Sequence, residues 1–143
     1  MGNIDATRMQ PLSSFRRIAL GTWRTPYDPQ IYGTLKLRME PALAYIEQQR
    51  RLTGRKLTVT HLVVKAVAAA LAACPDANVV LRGGRPYRRQ SVDVSVLVAM
   101  VGASGRDLSA TKLTAVDGKT PVDIAAELEK NVHGNSMLRR KIA

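Results

Sequence analysis

A single cysteine, Cys74, leaves this chain without an internal disulfide, so packing and hydrogen bonds must hold its fold. Histidine is equally scarce. His61 and His133 stand far apart, and with no H-x-x-x-H or C-x-x-C spacing the converging ligands of a zinc site are missing, so no metal is expected. The sequence has no G-x-S-x-G elbow, P-loop or G-x-G-x-x-G. It also has no uninterrupted apolar run of the length a membrane-spanning helix needs. Its first residues show neither the basic nor the apolar region of a secretory signal, and Ala6 stands where a myristoylation motif carries Ser or Thr. These absences point to a soluble, cytoplasmic protein. Acidic residues are in short supply, 11 against 22 Lys and Arg, and the net charge of +11 favours anionic partners: nucleic acid, acidic lipid or a phosphate-bearing small molecule. The basic residues are spread over Arg50-Arg51, Arg55-Lys56, Arg82, Arg85, Arg88-Arg89 and Arg139-Arg140-Lys141, a dispersion expected of a solvated face.

What is present suits one domain of ordinary size. The spacing of Leu12, Phe15, Ile18, Ala19 and Leu20 predicts an amphipathic helix within 12–24, capped by Ser13 or Ser14, and Thr25-Pro26-Tyr27-Asp28-Pro29 breaks it. Strict alternation over 31–39 predicts a strand with Ile31, Gly33, Leu35, Leu37 and Met39 on one face. Pro41 and Gly54 bracket a helix over 41–53. Leu62 to Cys74, stopped by Pro75, is apolar nearly all round and predicts a central buried helix, in which Cys74 packs as a small hydrophobe. Val79–Leu81, Gly83-Gly84 and Arg85–Arg89 spell a hairpin with a two-residue turn. Val92–Val101 predicts a longer strand, covered on both sides where Leu97, Ala99 and Val101 make its second face apolar. Gly102–Gly105 reads as a loop, followed by an edge strand carrying Leu108, Ala110 and Leu113. Thr120, Pro121 and Asp123 open a last helix with Ile124, Leu128 and Val132 as its buried stripe and Gly134 as its stop. The fold class is therefore α/β, an α+β two-layer arrangement with a mixed β-sheet packed against helices.

Neither histidine reads as a catalyst on its own surroundings. His61 lies in the first turn of a helix, where a satisfied ring nitrogen is expected; His133 lies near a helix end, where a cationic ring complements the dipole. Arg82-Gly83-Gly84-Arg85 and Gly102–Gly105 read as turns rather than phosphate cradles. Tyr87-Arg88-Arg89 could stack a base beside phosphate-binding arginines, but six aromatics in all and no RNP-like or helix-turn-helix sequence disfavour a nucleic-acid-binding domain.

The ordered combination of motifs is more specific than any one of them. Leu57-Thr58-Val59-Thr60-His61-Leu62-Val63-Val64-Lys65-Ala66, Ala70-Leu71, Cys74-Pro75-Asp76-Ala77-Asn78, Val92-Asp93-Val94-Ser95-Val96 and Pro121–Leu128, preceded by Pro11–Ala19, resemble the catalytic domain of the dihydrolipoamide acyltransferases. These are the acyltransferase cores of 2-oxoacid dehydrogenase complexes, related in fold to chloramphenicol acetyltransferase. The resemblance implies a trimer-based homo-oligomer that moves an acyl group between a dihydrolipoyl or other thiol and coenzyme A. Coenzyme A would be a substrate, and the lipoyl group would come from a partner protein. In that family a histidine of an H-x-x-x-D-G motif deprotonates the thiol and a Ser or Thr hydroxyl meets the oxyanion.

This chain departs from the pattern. Its only Asp-Gly is Asp117-Gly118, four residues after Leu113; Lys65 and Met137 stand four residues after His61 and His133. The catalytic histidine of the family comes from its second half, so the chain is expected to be the N-terminal half of the domain over residues 1–143. It carries no lipoyl or peripheral-subunit-binding domain and should be inactive alone, needing a partner chain or the missing C-terminal half. Carried over by the resemblance, Arg16 or Arg17, Asn78 and Asp93 match positions that support the active site, with local structural roles equally open. A non-catalytic scaffold or regulatory subunit of such an assembly is the alternative, and a basic nucleic-acid binder a further one.

Overall fold

The computed structural model describes residues 4–22, 30, 32–102 and 105–140. Among the described residues, five strands and four α-helices follow in the order β1 (Ala6–Arg8), α1 (Ser14–Thr22), α2 (Glu40–Thr53), α3 (Val59–Ala73), β2 (Val79–Arg82), β3 (Arg85–Arg89), β4 (Val94–Gly102), β5 (Gly105–Leu113) and α4 (Pro121–Arg140). Helices and strands are thus mixed, as the patterning predicts, and every described strand pairing is antiparallel. Three strands form one sheet in the order β1-β3-β2, and β4 and β5 form a separate two-stranded hairpin. Gly83 and Gly84 turn β2 into β3 with φ of 54° and 69°, the left-handed pair that a two-residue hairpin requires. β1, which the sequence pattern misses, is only three residues long and gains its place by pairing Ala6, Thr7 and Arg8 with Arg89, Arg88 and Tyr87.

The helix limits follow from local chemistry. The Ser13 hydroxyl accepts the Arg16 backbone N–H at 3.3 Å and opens α1. Pro41 sits in the first turn of α2, and Gly54 ends it at φ 65° with its N–H on the Arg50 carbonyl. At α4 the Thr120 N–H donates to Asp123 Oδ2 at 3.1 Å and the Asp123 N–H to Thr120 Oγ1 at 3.2 Å, the capping box expected there. Gly134 does not stop this helix, which continues to Arg140. The expected turn at 25–29 lies outside the described residues.

The core forms where α3 and α4 meet the β4–β5 hairpin. Val64 and Ala68 of α3, Val92, Leu113, Val116 and Ile124 make one buried cluster; Ile46, Leu57 and Ala125 make a second. Burying a side chain such as Leu113 or Ile124 contributes about 2 kcal/mol each. The Val116 N–H donates to the Val92 carbonyl at 2.8 Å, tying the chain after β5 to the residues before β4.

Four further expectations need correction. Residues 32–39 form no strand despite their alternation: among the described residues no strand pairs with their backbone, and Leu35 and Leu37 are 79% and 67% exposed. Periodicity fixes which way side chains point, whereas a strand needs a neighbour for its N–H and C=O groups. α3 is not buried all round; His61, Val64 and Ala68 face the core while Val59, Val63 and Val67 face outward. Its position between two clusters covers one face only. The second face of β4 is likewise open, with Leu97 69% exposed. Cys74 is exposed at the end of α3, where Pro75 turns the chain away, and does not pack.

Candidate functional site

Pro75 ends α3 and starts a single 3-10 turn, Pro75–Ala77, which places Asp76 between α1 and β3. Arg16 Nη2 donates to Asp76 Oδ2 at 2.6 Å, and Arg88 Nη2 donates to Asp76 Oδ1 at 2.9 Å. Both carboxylate oxygens are thereby engaged by guanidinium groups. The Arg16 hydrogen bond and charge, reinforced by Arg88, hold the Asp76 carboxyl below the usual range. The helix α1 is thus pinned to the three-stranded sheet through one acid flanked by two arginines.

The stretch Arg8–Pro11, which runs on from β1, walls two adjoining clefts of about 600 and 620 Å³. One also receives Arg17 and Arg85; the other receives Arg16, Arg88 and Asp76. Five arginines therefore surround the space with one carboxylate, already paired twice. Such a concave positive surface suits phosphate groups, which guanidinium forks meet with two donors each.

Of the site residues carried over from the sequence, Arg16 and Arg17 both line these clefts. Arg17 is exposed and within 3.5 Å of the Ser14 hydroxyl. Asn78 acts as a clamp, its Nδ2 donating to the Ser91 carbonyl at 3.0 Å while its own carbonyl accepts the Arg89 N–H at 3.0 Å. Asp93 is a hub: Lys112 Nζ lies at 2.7 Å, Arg89 Nη2 at 3.6 Å, and the Ala115 N–H donates at 3.2 Å. Ala115 is the one described non-glycine residue with a positive φ, 49°. Burial pushes the Asp93 carboxyl up, but hydrogen bonds from Lys112, Ser91 and Ala115 outweigh it and the net direction is down. These residues form a line of contacts, from α1 through the 3-10 turn and β3 to β5. They do not converge on one point.

His61 occupies the third position of α3, where its Nδ1 accepts the Thr58 backbone N–H at 2.9 Å, with the Thr58 hydroxyl at 3.0 Å. The ring closes the helix start as a capping-box Glu or Gln would. Burial lowers its pKa, because the charged ring would lose hydration. His61 is therefore neutral at pH 7 with one nitrogen committed to structure. The side chain of His133 lies outside the described residues. Among the described residues no three His, Cys, Asp or Glu side chains gather to hold a metal.

Asp76 stands in a motif of the resemblance and Arg88 among the arginines weighed for phosphate binding, but their pairing was not reached from the sequence. An acid directly after a helix-stopping proline, in a chain with twice as many bases as acids, was the available signal. No helix among the described residues is long and apolar enough to cross a membrane. No curated protein matches the chain. A family model does: the catalytic domain of 2-oxoacid dehydrogenase acyltransferases matches residues 6–136, which takes in all five strands, α1 to α3 and most of α4.

Proposed function

The chain belongs to the family of 2-oxoacid dehydrogenase acyltransferase catalytic domains, and from that premise we propose that it supplies the N-terminal half of a CoA-dependent acyl-transfer site. The match over residues 6–136 is the observation that carries this reading. In the reaction, a base takes the proton of a dihydrolipoyl or other thiol, and the thiolate attacks the carbonyl carbon of the acyl thioester. A hydroxyl donor meets the oxyanion as the thiolate of coenzyme A departs and recovers a proton. The lipoyl arm is brought by a partner protein.

This chain's own contribution is support and binding. The Arg16–Asp76–Arg88 bridge fixes α1 against the sheet, and Asn78 and Asp93 fix the strands behind it. The arginine-lined clefts are complementary to the phosphates of coenzyme A. The base is another matter. His61 is bound into its cap, and neither histidine lies in an H-x-x-x-D-G sequence. The reacting histidine therefore comes from a further polypeptide segment, and this chain alone does not turn over.

A scaffold role in a trimer-based assembly is the second reading. It is favoured by apolar side chains left open on the surface, among them Leu35, Leu37, Leu52 and Val63. A cytoplasmic setting suits both.

Calorimetric titration of the full chain with coenzyme A tests the leading reading. Saturable binding that weakens with added salt, and falls about tenfold in the Arg85→Gln variant, is expected. Absence of saturable binding, or binding untouched by Arg85→Gln, contradicts it.

A further inference from the structure

We propose that the pocket between the start of α3, Val98 of β4 and the middle of α4 binds an amphipathic monocarboxylate, with its chain along α4 and its carboxylate at Lys56 and the Nε2–H of His61. The pocket measures about 320 Å³, within the range that holds small organic ligands. Its chemistry is divided by element. Val98, Ala125, Leu128 and Val132 give an apolar wall, the donors and cations come from residues 55–61 at one end, and Glu129 adds one carboxylate, which Arg55 meets at 3.7 Å.

His61 is the first specific feature. It is 8% exposed, and its Nδ1 already accepts the Thr58 N–H, so the neutral ring carries its proton on Nε2. No hydrogen bond reaches Nε2 among the described residues, and the ring lines the pocket. Open to the pocket rather than sealed in the core, that N–H is placed to donate to an acceptor bound there. The cations beside it are unequal. Arg55 is held by Glu129 at 3.7 Å, whereas Lys56 has no ion pair among the described residues. One unpaired cation and one neutral donor at the end of an apolar pocket match a single carboxylate on a hydrocarbon chain. They match a multiply charged phosphate poorly, since most of the remaining wall offers no polar partner. None of Arg16, Asp76 and Arg88 lines this pocket, so the inference stands apart from the acyl-transfer reading.

Octanoate titrated into the full chain, followed by the ring nitrogen resonances of His61, tests it. A saturable shift at one equivalent is expected, with acetate (no chain) and 1-octanol (no charge) binding about tenfold more weakly. Lys56→Gln should weaken octanoate about threefold, the scale of one exposed ion pair. Val132→Trp, which fills the pocket, should abolish the shift while the far-ultraviolet circular dichroism stays native. The proposal is overturned if the His61 resonances do not saturate, if acetate or octanol binds as tightly as octanoate, or if Lys56→Gln binds octanoate like the native chain.

Discussion

Asp93 gathers Lys112, Arg89 and the Ala115 N–H around a carboxylate that is itself 8% exposed. Removing its charge leaves the two cations beside a left-handed backbone turn without their shared counter-charge. The Asp93→Asn variant should lose roughly 2 kcal/mol of unfolding free energy at pH 7, below the usual loss for a buried pair because Lys112 is half-exposed. Because the folded pKa is depressed, this stabilisation is present above the unfolded pKa and fades as pH falls through the folded one. Urea unfolding at pH 7 and at successively lower pH, beneath the usual carboxylate range, should show the native and variant curves converging. His61 also has a depressed pKa, by burial, so the unfolded chain binds a proton before the folded one does. Stability should therefore decline as pH falls below ~6.5, and His61→Gln should flatten that decline while preserving the cap. Thr111 presents the opposite case. Its Oγ1 is buried on β5 without a partner among the described residues, so Thr111→Val should raise stability by about 1 kcal/mol in the same urea assay. At this scale the sequence marked Arg16, Asn78 and Asp93 only through the family motifs. The pairing of Asp76 with Arg16 and Arg88 escaped because an ion pair between residues far apart in the chain leaves no periodic trace.

Element ends were the part of the fold most clearly written in the chain. Pro41 and Gly54 bound α2, Pro75 stops α3, Gly83-Gly84 turn the first hairpin, and Thr120 with Asp123 opens α4, all by chemistry local to a few residues. What failed depended on neighbours. Residues 32–39 have strand alternation but no described partner, and the apolar outer face of α3 has no described cover. Two backbone positions test the local part directly. Gly54 has open space where a Cβ would sit but φ 65°, so Gly54→Ala should cost about 1 kcal/mol through backbone strain alone. Ala115 carries the same kind of φ with a side chain, so Ala115→Gly should stabilise, by up to about 1 kcal/mol. Thermal unfolding of the two variants should shift in opposite directions.

For the whole molecule, an α/β domain of this family combines a +11 charge with apolar side chains left uncovered. Repulsion between like-charged copies opposes assembly and burial of the open apolar surface favours it, so association should strengthen with salt. Sedimentation at 0.5 M salt is expected to give a mass of three protomers or more, and a monomer at every concentration would remove the oligomeric reading. The central claim is that these residues belong to an acyltransferase site they do not complete. Thiol release from acetyl-CoA with dihydrolipoamide as acceptor measures it most directly. The full chain alone should give no turnover above the uncatalysed rate, whereas robust turnover abolished by His61→Gln would contradict the account.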